Sequence, residues 1–335
     1  MGILIHRTHR LHPIKSPEDV GALRRAVSAI AATQPQLGAG EAELVATELG
    51  TNLLRHASPG GYVLFRPTAE GVELISVDSG PGMNSGNSRG PGSPSPEPST
   101  SGLRAGLPSI LRRATDHDCY SNAQGTVTLA RLGGSGRETG TRWSYGAINV
   151  PLGGSGPSGD SWAVRDDRLL AALLIDGLGH GEEAAVAAQA AVDSFNGSPF
   201  GDPAAFLRRA HEAMRGTRGA VAGTCVIDAE NGQLIFAGVG NIAGEVIHGA
   251  QRQHLISHPG TLGTHLAPPR LQTRNHVWPS RSTLIMCTDG IHSGWGLSAY
   301  PGLLDHDPTV IAAVLHRDFT RSTDDATVLV VRDVS

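Results

Sequence analysis

The stretch from Arg168 to Gly181 constrains the fold of this chain more than any other part of the sequence. It reads Arg-Leu-Leu-Ala-Ala-Leu-Leu-Ile-Asp-Gly-Leu-Gly-His-Gly and leads into an alanine-rich run. The unbroken apolar run predicts a buried strand, which carries Asp176 to the edge of a sheet. Gly177, Gly179 and Gly181 predict a backbone that comes close to whatever this acid binds, and a helix is expected to follow. The alternative is that Asp-Gly forms only a turn.

Length and composition predict a soluble protein of about two domains. The net charge is -4 in 335 residues, and the arginines are dispersed, so neither a nucleic acid nor a membrane is expected as a partner. No membrane span or signal peptide is predicted, so a cytoplasmic location is expected. Lys15 is the only lysine, which excludes a Walker A motif.

The first residues carry His6, His9 and His12. Pro13 and the short run favour a strand or an extended arm, in which this spacing alternates between faces. A metal site at these histidines is therefore not expected.

The first half contains polar residues at positions that suit a nucleotide. Glu48 and Asn52 lie four residues apart on a predicted helix from about 39 to 56, although a solvated polar face is the simpler explanation. A strand from 72 to 77 delivers Asp78, a Ser/Gly/Pro-rich stretch covers 84–101, and glycines open a predicted helix near residue 102. The other candidate nucleotide-binding residues of the first half are Gly80, Gly82, Gly102, Gly106 and Thr126.

In this order, these motifs resemble the ATP-binding fold shared by gyrase, Hsp-type chaperones, histidine kinases and MutL (GHKL), in the small form of RsbT-like anti-sigma serine kinases. The resemblance implies that Asn52 binds Mg²⁺ on the phosphates and that Glu48 orients or deprotonates the attacking group. It also implies that Asp78 accepts a hydrogen bond from the adenine amino group and that Gly80 and Gly82 give the ring room. Gly102 and Gly106 would flank the phosphates, and Thr126 would support the adenine.

The second half places aspartates at the ends of several predicted strands. These residues are Asp160, Asp176, Asp289 and Asp324, each next to a glycine or a second acid. Carboxylates gathered at one sheet edge repel each other unless cations neutralise them, and oxygen ligands select Mg²⁺ or Mn²⁺. Such a site suits hydrolysis of a phosphate monoester. The alternative is a set of unrelated turn aspartates.

The same motifs resemble the metal-dependent serine/threonine protein phosphatases (PPM) of the SpoIIE and RsbX-like type. The resemblance implies that Asp160, Asp176 and the Gly177 carbonyl hold one metal, and that Asp176, Asp289 and Asp324 hold the other. It leaves three alternative roles open for His180: packing, a hydrogen bond to Asp176 and proton donation. No arginine clearly matches the phosphate-binding arginine of larger relatives.

The expected fold class is α+β, with a GHKL-type α/β sandwich at residues 10–132, a linker at 133–141 and a PPM-type αββα sandwich at 142–335. The expected function is a two-metal phosphoserine/phosphothreonine phosphatase with an ATP-binding domain. By resemblance, its partner would be a phosphorylated antagonist (STAS-domain) protein or related sigma-factor regulator, and a homodimer is a further expectation. The alternatives are a first half that sequesters a partner without phosphorylating it, and a scaffold that turns over neither ligand.

Overall fold

The computed structural model describes residues 8–57, 60–82, 113–134, 142–199 and 201–335. Their contacts divide the chain into two compact units. The N-terminal unit contains Arg10–Glu138 and Leu297–His306, and the C-terminal unit contains Met1–His9, Thr139–Gly296 and Asp307–Ser335. The chain therefore passes from one unit to the other four times. Among the described helices, none has both the length and the apolar character needed to cross a membrane.

The N-terminal unit is built on one antiparallel sheet with the strand order β1-β2-β3-β5-β4. Its strands are β1 (Arg10–Ile14), β2 (Gly61–Pro67), β3 (Gly71–Asp78), β4 (Asp116–Asn122) and β5 (Gly125–Gly133). Glu73 is buried in β3 and forms ion pairs with Arg66 at 2.6 Å and with Arg131 at 2.8 Å. The sheet thus carries a buried carboxylate that is neutralised by two guanidinium groups.

Two helices of the described part of this unit pack against the sheet, α1 (Pro17–Ala31) and α2 (Glu41–His56). Helix α1 begins at Pro17, and Asp19 in its first turn accepts hydrogen bonds from the backbone amides of Lys15 and Ser16 at 2.8 Å each. Leu23 and Val27 of α1 and Leu49 of α2 belong to the apolar core. The polar face of α2 is therefore left away from the core.

The C-terminal unit contains two antiparallel five-stranded sheets. The first has the order β13-β10-β9-β8-β7 and the second the order β12-β11-β14-β15-β6. The strands are β6 (Trp143–Val150), β7 (Asp160–Asp166), β8 (Leu170–Gly177), β9 (Ala220–Asp228), β10 (Gln233–Val239), β11 (Ala243–His248), β12 (Gln251–Leu255), β13 (Arg274–Val277), β14 (Thr283–Cys287) and β15 (Ala326–Asp333).

The apolar run that ends at Asp176 forms β8, and both faces of this strand are buried. Leu170 and Leu174 belong to the core between the two sheets. Leu173 and Ile175 point the other way, into a second core beneath two helices. Because alternate side chains of a strand point to opposite faces, a strand inside two cores has no polar position, which explains the unbroken run.

Helices cover the outer faces of both sheets. Helices α3 (Glu182–Asn196) and α4 (Pro203–Ala213) pack on the first sheet, and α5 (Pro308–Phe319) packs on β6 and β15 of the second. The unit is thus a four-layered αββα sandwich. The expected α+β fold class is confirmed.

Candidate active site

Asp160 and Asp176 are direct cross-strand partners at the ends of β7 and β8. Asp160 shares its face with Trp162, and Asp176 shares its face with Leu174, since alternate residues lie on one face. Both Trp162 and Leu174 belong to the core between the sheets. The two carboxylates therefore lie at the end of the space between the sheets, with Cβ atoms about 5 Å apart as is typical of cross-strand pairs.

Asp160 is held from two sides. The hydroxyl of Thr288 donates to its Oδ2 at 2.7 Å, and Thr288 Oγ1 in turn accepts from the amide of Thr327 at 2.9 Å. The side-chain amide of Asn149 donates to the backbone carbonyl of Asp160 at 2.9 Å. These contacts connect Asp160, in the first sheet, to three parts of the second sheet: β6, the end of β14 and β15.

The two partner carboxylates have raised pKa values. Burial, together with the charges of Asp160 and Asp289, raises the pKa of Asp176 to about 9. Burial also raises the pKa of Asp160 to about 7, although the hydrogen bond from Thr288 opposes this shift. Desolvation and neighbouring like charges both disfavour the ionised form. This is the electrostatic signature of a site that a cation would stabilise.

Asp289 and Asp324 lie in two turns that touch. A Cβ on Gly290 would lie 1.9 Å from the backbone oxygen of Asp325, so the turn after β14 fits against the turn before β15 only with glycine at this position. The side chain of Asp325 is buried and accepts from the amides of Leu152 and Gly159, each at 2.6 Å. Asp325 therefore fixes the loops around the site, whereas Asp324 is less buried.

Gly177 also has a packing role, which concerns its missing side chain and leaves its carbonyl unaffected. A Cβ at this position would lie 2.4 Å from the carbonyl oxygen of Ala184, so the glycine allows α3 to pack closely on β8. Gly179 and Gly181 have φ angles of 82° and 81°, which favour glycine in the loop.

Several polar residues beside the carboxylates were not predicted from the sequence. The side-chain amide of Asn241 donates to Asp289 Oδ2 at 2.8 Å, so the glycine-rich turn before it supplies a polar contact as well as a bend. Arg218 forms an ion pair with Glu183 at 2.5 Å, and its guanidinium lies 3.0 Å from where a Cβ of Gly179 would stand. His180 is exposed.

The donor set suits a hard divalent cation. Within the described residues, no three His, Cys, Asp or Glu side chains already stand in the arrangement of a metal cage. The pKa of Asp176 is nevertheless raised by the charges of four other aspartates, namely Asp160, Asp289, Asp324 and Asp325. Carboxylate oxygens grouped in this way fit Mg²⁺ or Mn²⁺, because oxygen ligands and negative charge are what these ions require.

In the N-terminal unit, the structure brings together three of the predicted nucleotide-binding residues. Asp78 Oδ1 accepts from the amide of Gly80 at 2.9 Å and from the amide of Thr126 at 3.3 Å. Gly82 has a φ angle of 71°, and a Cβ there would lie 2.1 Å from the carbonyl oxygen of Asn122. The turn after β3 is therefore bound to the hairpin of β4 and β5.

Glu48 and Asn52 lie on α2, one helical turn apart and half-buried. A Cβ on Gly80 would lie 3.6 Å from Cα of Ala57, so the turn that contains Asp78 is close to the end of the same helix. Gly102 and Gly106 lie outside the described residues. The helix expected to begin near Gly102 lies there too.

Comparison with known proteins finds a different family model in each half of the chain. Residues 166–333 match the family model of Stage II sporulation protein E (SpoIIE), and residues 15–132 match that of a histidine kinase-like ATPase domain. The phosphoserine phosphatase RsbX of Bacillus subtilis (strain 168) is 28% identical over 135 residues, which are 40% of this chain and 67% of the relative. A solved structure from "The bacterial stressosome: a modular system that has been adapted to control secondary messenger signaling" has a TM-score of 0.53 and 28% identity. That similarity covers 57% of this chain and 100% of the other.

The αββα sandwich and these matches together identify a PPM-type serine/threonine protein phosphatase that also carries a histidine kinase-like ATPase domain. The SpoIIE model covers half of the residues. The chain belongs to the Stage II sporulation protein E family.

Proposed function

We propose that this chain removes phosphate from phosphoserine or phosphothreonine of an antagonist (STAS-domain) protein or a related sigma-factor regulator, using two Mn²⁺ or Mg²⁺ ions. The observation that carries the proposal is the meeting of Asp160 and Asp176 at one sheet edge, where burial and other carboxylates raise the pKa of Asp176 to about 9. The substrate class is supported by the Bacillus subtilis relative, which is named a phosphoserine phosphatase, and by the similar structure from the bacterial stressosome.

In this proposal, Asp160, Asp176 and the carbonyl of Gly177 hold one metal ion, and Asp176, Asp289 and Asp324 hold the other. Bound ions of this kind lower the pKa of water and neutralise phosphoryl oxygens. The residues around the carboxylates orient them: Thr288 donates to Asp160, and Asn241 donates to Asp289. Donors of this kind fix the orientation of the carboxylates that would bind the ions.

The N-terminal unit would bind ATP with Mg²⁺. Asn52 would bind the metal, Glu48 would orient or deprotonate the attacking group, and Asp78 would accept a hydrogen bond from the adenine amino group. The hydrogen bonds of Asp78 to Gly80 and Thr126 support its part in this proposal, because they fix the carboxylate at the end of β3. Transfer of radiolabel from ATP to a candidate antagonist tests for kinase activity. If transfer occurs and is lost in both E48A and N52A, a unit that only sequesters its partner is excluded.

The test of the phosphatase is Mn²⁺-dependent release of phosphate from a phosphoserine peptide. We expect activity in the wild-type protein, and loss of at least about 100-fold in D176N and in D289N, in line with the removal of a group on which the reaction centre depends. D228N is the matched control, because Asp228 accepts hydrogen bonds from the turn residue Asn231 at the far end of β9. Metal-loaded, folded protein that releases no phosphate would contradict the proposal, as would full activity in D176N.

A further inference from the structure

His9 is buried in the C-terminal unit, although the next residue begins the first strand of the N-terminal unit. Its ring is completely inaccessible to solvent. The backbone amide of His9 donates to the carbonyl of Asn149 at 2.7 Å, and the amide of Asn149 donates back to Nδ1 of the His9 ring at 3.4 Å. His9 therefore binds to the outer side of β6, which is the edge strand of the second sheet.

Asn149 links this contact to the candidate metal site. Its backbone is bound by His9, and its side-chain amide donates to the carbonyl of Asp160 at 2.9 Å. An edge strand has unpaired backbone groups on its outer side, and at Asn149 His9 supplies their partners. Without His9, that end of β6 would be held on one side only, by its pairing with Thr327 of β15.

A second histidine shows that this environment is closed to solvent. His316 of α5 is buried, and burial together with the nearby His9 lowers its pKa to about 4. Because the ring of His9 accepts a hydrogen bond at Nδ1, its proton is on Nε2 in the neutral form. The His9 ring thus fills an interior position of the sandwich and does not lie on a surface where water would replace it.

We propose that His9 is a positioning residue of the phosphatase site, which acts through Asn149 on the main chain of Asp160. The inference rests on the proposed function where it concerns metal. It also means that the phosphatase unit is completed by a residue from ahead of the ATPase domain. Neither family model includes His9, since the matches begin at residues 15 and 166.

The test compares full-length H9A, H9N, N149A and the double variant H9A/N149A with the wild-type protein. H12A is the matched control, because the ring of His12 contacts the backbone of Asp19 in the N-terminal unit. Binding of Mn²⁺ is followed by the EPR signal of the free ion. We expect H9A to bind Mn²⁺ about five-fold more weakly, the effect of losing roughly one neutral hydrogen bond. N149A should be weakened at least as much, and the double variant no more than N149A, because the two residues act in series.

A second measurement does not depend on metal. In protein kept in chelator, hydrogen exchange of a peptide covering Ser158–Asp160 should be faster in H9A and N149A and unchanged in H12A. H9N is included because an asparagine oxygen can accept a hydrogen bond from the Asn149 amide, so this variant should recover part of the protection from exchange. It also tests the role of His9 if H9A fails to fold. Unchanged exchange in both His9 variants would overturn the proposal. It would also be overturned if the losses of Mn²⁺ affinity in H9A and N149A multiplied in the double variant. Wild-type protein that binds no Mn²⁺ would instead refute the proposed function, while hydrogen exchange would still decide the role of His9.

Discussion

Metal-free D176N should be more stable than the metal-free wild-type protein. The folded state raises the pKa of Asp176 from 3.8 to about 9, so at neutral pH folding must either protonate this carboxyl or bury its charge. Each pH unit between the unfolded pKa and the working pH costs about 1.4 kcal/mol. At pH 7 the cost reaches roughly 4 kcal/mol, and an asparagine, which keeps the shape but loses the charge, should recover about 2–4 kcal/mol of it.

The direction of the Asp176 pKa shift determines how the stability difference between D176N and the wild-type protein depends on pH. A carboxyl with a raised pKa stabilises the folded state fully below its unfolded pKa of 3.8, and this contribution is lost as the pH rises toward about 9. The advantage of D176N over the wild-type protein should therefore be small near pH 4 and should grow up to about pH 9.

Thermal unfolding in chelator at pH 5.5, 7 and 8 measures this difference. The relevant transition is the one that Mn²⁺ shifts upward in the wild-type protein. For a unit of this size, 2–4 kcal/mol corresponds to a rise in Tm of roughly 5–10 °C. D228N is the control: hydrogen bonds from Asn231 lower the pKa of Asp228, so removing that charge should give no gain. A D176N transition at or below that of the wild-type protein at pH 8 would refute the reasoning.

Three more predictions follow from the described contacts. The affinity for Mn²⁺ should rise with pH between about 6 and 9, by up to roughly tenfold per pH unit for each proton released, because binding must release protons from Asp160 and Asp176; EPR titrations at several pH values measure this. G290A should lower the stability of the phosphatase unit by ~1–3 kcal/mol or more, whereas G294A, which has open space around it, should not; thermal unfolding compares them. E73A should destabilise the N-terminal unit by about 3–5 kcal/mol, since it removes the buried carboxylate that forms ion pairs with Arg66 and Arg131; urea unfolding measures the loss, and E73Q should lose less.

Local patterns predicted much of the fold. The run that ends at Asp176 is a strand buried on both faces, and the start of α1 at Pro17 follows from its capping residues. These features depend on residues close together in the chain, so the sequence carries their full signal. The hairpin between β9 and β10 likewise turns at Asn231-Gly232, a dipeptide that favours hairpin turns.

Helix α5 was not predicted, and the reason lies in its surroundings. Nine consecutive residues from Pro308 to His316 are buried. A helix that is buried on all sides lacks the apolar and polar alternation by which a helix is recognised, so its sequence resembles a buried strand.

The polar partners of the site could not be predicted for a different reason. Thr288 and Asn241 contact the aspartates only because strands from distant parts of the chain end at the same edge. His9 is the strongest case, because its partner Asn149 lies 140 residues away. The aspartates themselves were recognisable because each follows or precedes a strand and adjoins a glycine or a second acid.

The pairing of β6 also sets an order on the synthesis of the protein. Strand β6 pairs with β15 along its whole length, from Trp143 with Asp333 to Val150 with Ala326. Asn149 is made early, but this pairing must wait until more than 170 further residues have left the ribosome. A chain still being translated therefore exposes one side of β6 and holds Asp160 without its full support, so phosphatase activity should arise only after β15 has been added. Ribosome-bound chains that stop before β15 would be open to chaperones at this strand.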